Sequence, residues 1–166
     1  MLNEKMNGEL SKQINAEMFS SYLYLSMSGW FESKGLSGFA SWMRIQAKEE
    51  TFHAEKLYDY VYERGGRVVL GAIDQPESEW SSALEIFEGA LKHEEMISGM
   101  INDLVNISIE EKDHATNNFL QWFVAEQVEE EASAQAVVDK LKLIGDGSGM
   151  FVLDQEMGKR TFVAEE

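Results

Sequence analysis

Apolar residues recur at helical spacing in four long stretches of the chain, and each stretch predicts an amphipathic α-helix. The predicted helices cover residues 4–33, 37–64, 82–109 and 113–144 of the 166 residues. Gly35 and the pair at 65–66 are stop signals, Ser82 to Glu85 forms a capping-box pattern, and Asp113 is a good N-cap. Glycine-rich residues 145–149 end the fourth helix, and 150–158 predict a short tail helix. The chain is therefore predicted to be all-α.

One long connection separates the second and third predicted helices. Residues 65–81 contain Pro76, the single proline, and show no helical periodicity. Fully extended, this segment would span roughly 50 Å, which exceeds the roughly 42 Å length of a 28-residue helix. It can therefore cross the whole bundle and make the second and third helices parallel. Four helices with one long crossover predict a ferritin-like bundle, with 1–166 as a single domain.

The stretch AEQVEEEASA, residues 125–134, places four carboxylates and a glutamine inside the fourth helix. At about 100° per residue, Gln127 and Glu130 fall inside the apolar stripe of that helix, and Glu129 points outward. Glu126 and Glu131 lie at the edges of the stripe, and Glu131 is explained as a solvated residue. A buried glutamate is rare unless something pairs with it. Glu130 therefore needs a partner.

The other three predicted helices also carry polar residues on their apolar faces. These residues are Glu17 and Tyr24 in the first helix, beside Leu25, then Glu50 and His53 in the second, and Glu94 in the third. Like Gln127 and Glu130, the carboxylates lie near the midpoints of their helices, so a bundle brings them to one level. Without a lysine or arginine at that level, four buried carboxylates would repel one another, and bound cations would relieve the repulsion.

Each of these residues has an ordinary explanation when it is taken alone. A buried glutamate can be protonated, and a lone histidine on an apolar face is commonly a core residue. The coincidence of all four helices at one level favours metal binding, and carboxylates with one imidazole suit iron or manganese. We predict one metal held by Glu17, Glu50 and His53. A second would be held by Glu50 and Glu94, with Glu130 as a further candidate.

The amino-acid composition excludes several kinds of binding partner and indicates the cellular compartment. The net charge of −16, from 14 basic and 30 acidic residues, argues against binding to nucleic acid or to an anionic membrane. The absence of cysteine excludes disulfides, iron–sulfur clusters and thiolate zinc sites. The first residues lack a secretory pattern, and no apolar run approaches the roughly 18 residues of a membrane span. A cytoplasmic protein is expected.

The chain resembles the non-haem ferritins of bacteria and archaea in three stretches, INAEMFSSYLYLSMSGWF, WMRIQAKEETFHAEKLYDYVYERGGRV and NFLQWFVAEQVEEEASA. The similarity extends from about Leu10 to Leu153. It implies a homo-oligomeric cage of 24 subunits that binds iron as its metal. Such a cage oxidises Fe(II) with dioxygen or hydrogen peroxide at a di-iron centre within each subunit and stores ferric mineral inside.

The resemblance also implies roles for single residues. The positions that match the ferroxidase centre are Glu17, Glu50, His53, Glu94 and Gln127, with Tyr24 and Trp122 beside it. The positions that match a third iron site are Glu49, Glu126, Glu129 and Glu130. Thr51 stands where bacterioferritins have a haem-binding methionine, so no haem is expected. Asn117 and Leu120 replace the acidic residues of the three-fold channel in animal ferritins, so iron entry by that route is not implied.

Two other functions stay open at this point. A rubrerythrin-like di-iron peroxidase or oxygenase shares the bundle, but it usually has a second Glu-x-x-His motif, where this chain has Gln127 and Glu130. Rubrerythrin also has a cysteine-bound iron, which this chain cannot form. A non-catalytic acidic scaffold would leave the carboxylates on the apolar faces unexplained. Retention of many iron atoms per subunit would distinguish storage from both alternatives.

Overall fold

The computed structural model describes residues 1–145 and 147–162, so Asp146 and residues 163–166 of the predicted domain lie outside the described part. Five helices form the described part: α1 (Glu4–Ser33), α2 (Ser37–Glu63), α3 (Ala83–Glu110), α4 (His114–Ile144) and α5 (Gly149–Met157). No strand occurs among the described residues, and the prediction of an all-α fold is confirmed. No helix in this part is both long and apolar enough to cross a membrane.

Side-chain caps explain the small differences between the predicted and observed helix ends. Ser82 and Asp113 are the N-cap residues of α3 and α4 rather than their first helical residues. Their side-chain oxygens accept hydrogen bonds from the amides of Glu85 and Thr116, both at 3.1 Å. Ser82 thus forms its half of the predicted capping box, whereas the reciprocal half is shifted by one residue, because the Glu85 carboxylate accepts from the amide and hydroxyl of Ser81, both at 2.6 Å.

The long connection between α2 and α3 runs along α1. Side chains of α1 hold the backbone carbonyls of the connection by hydrogen bonds at successive points: Asn7 to Arg67, Asn15 to Ala72 and Ser26 to Glu77. The connection therefore follows the direction of α1 and returns the chain to the end of the bundle where α2 began. As a result α2 and α3 are parallel, as the length of the connection predicted.

The core consists of two apolar clusters at different heights in the bundle. One contains Phe31, Phe39 and Phe87, and the other contains Leu57 and Ile101. On each long helix the two clusters are separated by the segment that carries the predicted carboxylate ligands, while Tyr24 belongs to the first cluster. Burial of the flanking apolar side chains, on the order of 2 kcal/mol for each large one, therefore holds a polar layer at mid-height.

Leu25 departs from the predicted pattern. Helical phase predicts that it lies on the core face of α1, yet 47% of its surface is exposed. Its angular position lies at the edge of the stripe, so it faces the connection and lines a groove with Tyr22, Ile73 and Pro76. An edge position of this kind is covered only where a second element packs over it.

Candidate metal centre

The polar layer at mid-height buries side chains from all four long helices. The predicted site residues among them, each with an exposed fraction of 5% or less, are Glu17, Tyr24, Glu50, His53, Glu94, Gln127 and Glu130. The predicted residues of the first two metal positions thus converge on one level of the core. Such a concentration of buried carboxyl groups is rare in a protein interior unless the groups are paired or bind a metal.

Glu17, Glu50 and His53 form the tightest group in this layer. One potential ligand atom from each lies within 4.8 Å of the others, and His53 Nδ1 is 3.5 Å from Glu50 Oε2. Glu17 Oε1 accepts a hydrogen bond from Gln13 Nε2 at 2.8 Å, but Glu17 Oε2 is buried and has no hydrogen-bond partner among the described residues. A cation among the three side chains would satisfy this oxygen, so the donor set fits a metal.

Glu94 is held in the layer by two donors. The hydroxyl of Tyr24 donates to Glu94 Oε1, and Gln127 Nε2 donates to Glu94 Oε2 at 3.1 Å. Glu94 does not belong to the group of three described above. In this structure Tyr24 and Gln127 therefore fix the orientation of the Glu94 carboxylate.

Gln46, which the sequence analysis missed, connects two of the predicted ligands. It is 1% exposed, and its Nε2 donates to Glu50 Oε1 at 2.8 Å and to Glu130 Oε2 at 2.7 Å. Gln13 and Gln46 each precede a site glutamate by four residues, so each pair lies on one helix face. This repeated i, i+4 spacing is the feature of the sequence that could have identified both glutamines as hydrogen-bond partners of the site.

Burial makes these carboxyl groups harder to ionise than exposed ones. It raises the pKa of Glu17 to about 8, and the nearby charge of Glu50 adds to the effect. Burial also raises the pKa values of Glu50 and Glu130 well above the usual range, with neighbouring carboxylates contributing. The pKa of Glu94 is raised by burial as well. Cations and protons therefore compete for these oxygens, and metal binding must release protons.

The residues that match a third iron site share one outer cavity. Glu49, Glu126, Glu129 and Glu130 line this cavity of about 160 Å³. Ligand atoms of His53, Glu126 and Glu130 lie within 4.8 Å of one another. The Trp122 ring, which also lines the cavity, meets the His53 ring edge-on at 5.5 Å between centroids. The cavity thus adjoins the buried layer through His53 and Glu130.

The structure corrects two expectations about charges at this level. The expectation that no arginine lies there is wrong, because the Arg160 guanidinium contacts Glu49 and Gln46 at the wall of the outer cavity. Arg160 follows α5, and helical periodicity does not reveal where a tail will dock. Glu131, interpreted as solvated, is half-buried and accepts a hydrogen bond from the Ser98 hydroxyl.

A four-helix bundle with one long crossover and a carboxylate–histidine group in its core defines a ferritin-like metal carboxylate protein. A family model described as a ferritin-like domain matches residues 7–144. The chain therefore belongs to the ferritin family.

Its relatives are bacterial non-heme ferritins and archaeal ferritins. The chain is 48% identical over 160 residues to a bacterial non-heme ferritin of Bacteroides fragilis, covering 96% of this chain and 100% of the relative. It is 44% identical to one of Campylobacter jejuni, with 93% of both chains covered. A solved open-pore ferritin of Archaeoglobus fulgidus superposes with a TM-score of 0.95 at 53% identity, covering 96% of this chain and 98% of the other. The resemblance read from the three sequence stretches is confirmed.

Proposed function

We propose that this chain is an iron-storage ferritin that oxidises Fe(II) in its helical core and deposits ferric mineral in a hollow assembly. The observation that supports this most directly is the buried group of Glu17, Glu50 and His53. Within the part of the chain that the structure describes, one buried oxygen of Glu17 has no hydrogen-bond partner. The rubrerythrin-like alternative gains no support from the relatives described above, all of which are ferritins.

The first Fe(II) is bound by Glu17, Glu50 and His53. The second is bound by Glu50 and Glu94, with Gln127 and Glu130 at its edge. Each Fe(II) gives up one electron, so a pair supplies the two electrons that reduce dioxygen to hydrogen peroxide, or hydrogen peroxide to water. Hard carboxylate oxygens favour the ferric product. Tyr24 acts by holding Glu94 in place.

The outer cavity is proposed as the third iron position. Glu49, Glu126, Glu129 and Glu130 supply its oxygens, and iron leaving the buried layer passes through it toward the interior of the assembly. The asymmetric donor set supports such movement, because a second metal with few strong ligands exchanges more readily than a permanent cofactor.

The chain is proposed to form a homo-oligomeric cage of 24 subunits in the cytoplasm. The solved relatives are described as ferritins with open or closed forms. Large apolar side chains stay exposed on the outer faces of α1 and α2, including Tyr22, Leu25, Tyr58 and Tyr62. Exposed apolar groups of this number on a single chain are typical of surfaces that are covered by other subunits.

Replacing Glu50 by alanine tests the proposed oxidation site. Stopped-flow mixing of two Fe(II) per subunit with air-saturated buffer should show fast oxidation slowed by at least about tenfold, because loss of one ligand disrupts both metal positions. Exposed Glu55, on the same helix, provides the matched control Glu55→Ala. Glu50→Ala should still fold, since removal of one carboxyl group from the crowded layer relieves repulsion among the remaining ones. Oxidation by Glu50→Ala at the unmodified rate would show that the site is wrong.

A further inference from the structure

The segment after α5 is anchored to the start of α2. Asp154 Oδ1 accepts hydrogen bonds from the amides of Gly38 and Phe39, at 2.9 and 3.0 Å. A Cβ added at Gly38 would lie 1.6 Å from the Asp154 carbonyl oxygen, and one added at Gly158 would lie 3.3 Å from the Cα of Gly38. These contacts fix where the chain leaves α5, and they direct residue 160 along α2 toward the outer cavity.

Arg160 makes three contacts with side chains of α2. Its Nη2 donates to Glu49 Oε2 and its Nη1 to Gln46 Oε1, the latter at 2.8 Å. Its guanidinium lies 4.2 Å from the centroid of the Trp42 ring. Only 21% of its side-chain surface is exposed. An arginine held by a carboxylate, an amide and an aromatic face has a defined position rather than a freely solvated one.

A continuous path of hydrogen bonds runs from Arg160 into the buried layer. Because the amide oxygen of Gln46 accepts from Arg160, its NH₂ group is turned toward Glu50 Oε1 and Glu130 Oε2. Both donor hydrogens of Gln46 are thereby used on oxygens that the proposed second and third metal positions require. Arg160 thus sets the orientation of Gln46.

We propose that Arg160 is a tethered cation that competes with metal ions for the outer carboxylate position and couples this position to the buried layer through Gln46. The inference rests on the proposed function, since it takes Glu49, Glu126, Glu129 and Glu130 as a metal position. A metal that binds Glu49 must displace the guanidinium. Once the guanidinium leaves, Gln46 loses the partner that fixes its amide, and Glu50 and Glu130 become available to metal. The outer position therefore holds metal weakly and releases it readily.

The test is an anaerobic calorimetric titration with Zn²⁺, which cannot be oxidised and so separates binding from turnover. In Arg160→Gln the weakest class of Zn²⁺ sites should tighten by about tenfold, because the competing charge-assisted hydrogen bond is gone. The control is Lys159→Gln, which removes the same charge from the neighbouring exposed residue. It should leave all the sites unchanged. If Arg160→Gln does not assemble, Arg160→Lys replaces it in the test. Lysine keeps the positive charge but lacks the two donor nitrogens of the guanidinium, so the weakest Zn²⁺ sites should tighten by a smaller factor.

A second set of variants, made in Glu49→Gln, tests whether the tightening of Zn²⁺ binding depends on Glu49. In Glu49→Gln, further replacement of Arg160 should tighten Zn²⁺ binding clearly less than it does when Glu49 is present, because the contested carboxylate is absent and only the contact of Arg160 with Gln46 remains. The inference is overturned if Arg160→Gln matches Lys159→Gln, or if its tightening is undiminished in the Glu49→Gln background. If the two tighter classes of Zn²⁺ sites are present and the affinity of the weakest class does not change when Arg160 is replaced, only this inference fails. Loss of all Zn²⁺ binding in the unmodified chain would instead contradict the proposed function.

Discussion

At the scale of single residues, Glu17 shows how the site costs stability when metal is absent. Its pKa is raised by burial, and by the charge of Glu50, from 4.5 to about 8. The folded chain therefore holds this proton more tightly than the unfolded chain does. The stabilisation that this proton provides is complete below about pH 4.5, and it is lost as the pH rises through about 8.

The expected consequence is a pH-dependent stability of the metal-free protein. Between pH 5 and 8 its free energy of unfolding should fall. Over the whole range from about pH 4.5 to about pH 8, Glu17 alone should contribute roughly 5 kcal/mol to this fall. Glu17→Gln should flatten this slope, whereas Glu32→Gln, which changes an exposed residue of α1, should not. Urea unfolding after chelation, at several pH values, provides the measurement. Identical slopes in all three proteins would mean that Glu17 does not ionise in this way.

The residues of the buried layer differ in how far sequence could predict them. Helical phase and midpoint position indicated Glu17, Glu50, His53 and Glu94, because both properties are encoded locally on each helix. The supporting glutamines at i−4 were visible in the same pattern but were overlooked. Arg160 could not be predicted, since its place depends on how a short helix docks on a distant part of the chain.

At the scale of elements, α5 provides the N-terminal cap of α2. The residue before α2, Leu36, makes no capping side-chain hydrogen bond, and Asp154 accepts from the first amides of the helix instead. A carboxylate at a helix N-terminus also interacts favourably with the helix dipole. One residue thus stabilises α2 and anchors the tail that carries Arg160.

Asp154→Ala should therefore have two measurable effects. Unfolding stability should fall by about 1 kcal/mol, as is typical when a helix cap is lost, and protease cleavage after Lys159 or Arg160 should become faster. Asp154→Asn keeps an oxygen acceptor at this position and should lie close to the unmodified protein. Equal proteolysis of all three proteins would show that Asp154 does not anchor the tail.

The bounds of the long helices were predictable to within one residue, whereas the contacts made by their connections were not. Apolar periodicity repeats over many turns in α1 to α4, and glycines at 35 and 65, with φ of +74° and +71°, end two of them. The length of the 65–81 connection set the parallel direction of α3. Its contacts with α1, such as that of Asn15 with Ala72, depend on single side chains, and no sequence period encodes them.

At the scale of the whole molecule, two apolar clusters enclose a layer that is unfavourable without metal. The clusters supply the stability that allows carboxyl groups to stay buried and partly protonated between them. A polar layer supported in this way is expected to lose bound metal without unfolding. A storage protein needs to release metal without unfolding, whereas a protein with a permanent metal cofactor does not.

The central claim, that the chain stores iron, is tested most directly by counting retained iron. Fe(II) should be added in air in small portions, followed by gel filtration with iron and protein measured in each fraction. We expect far more iron than the roughly two atoms of a di-iron enzyme per subunit, soluble and co-eluting with one large assembly. Saturation at about two iron atoms per subunit, or elution of the iron-loaded protein as a monomer, would contradict storage.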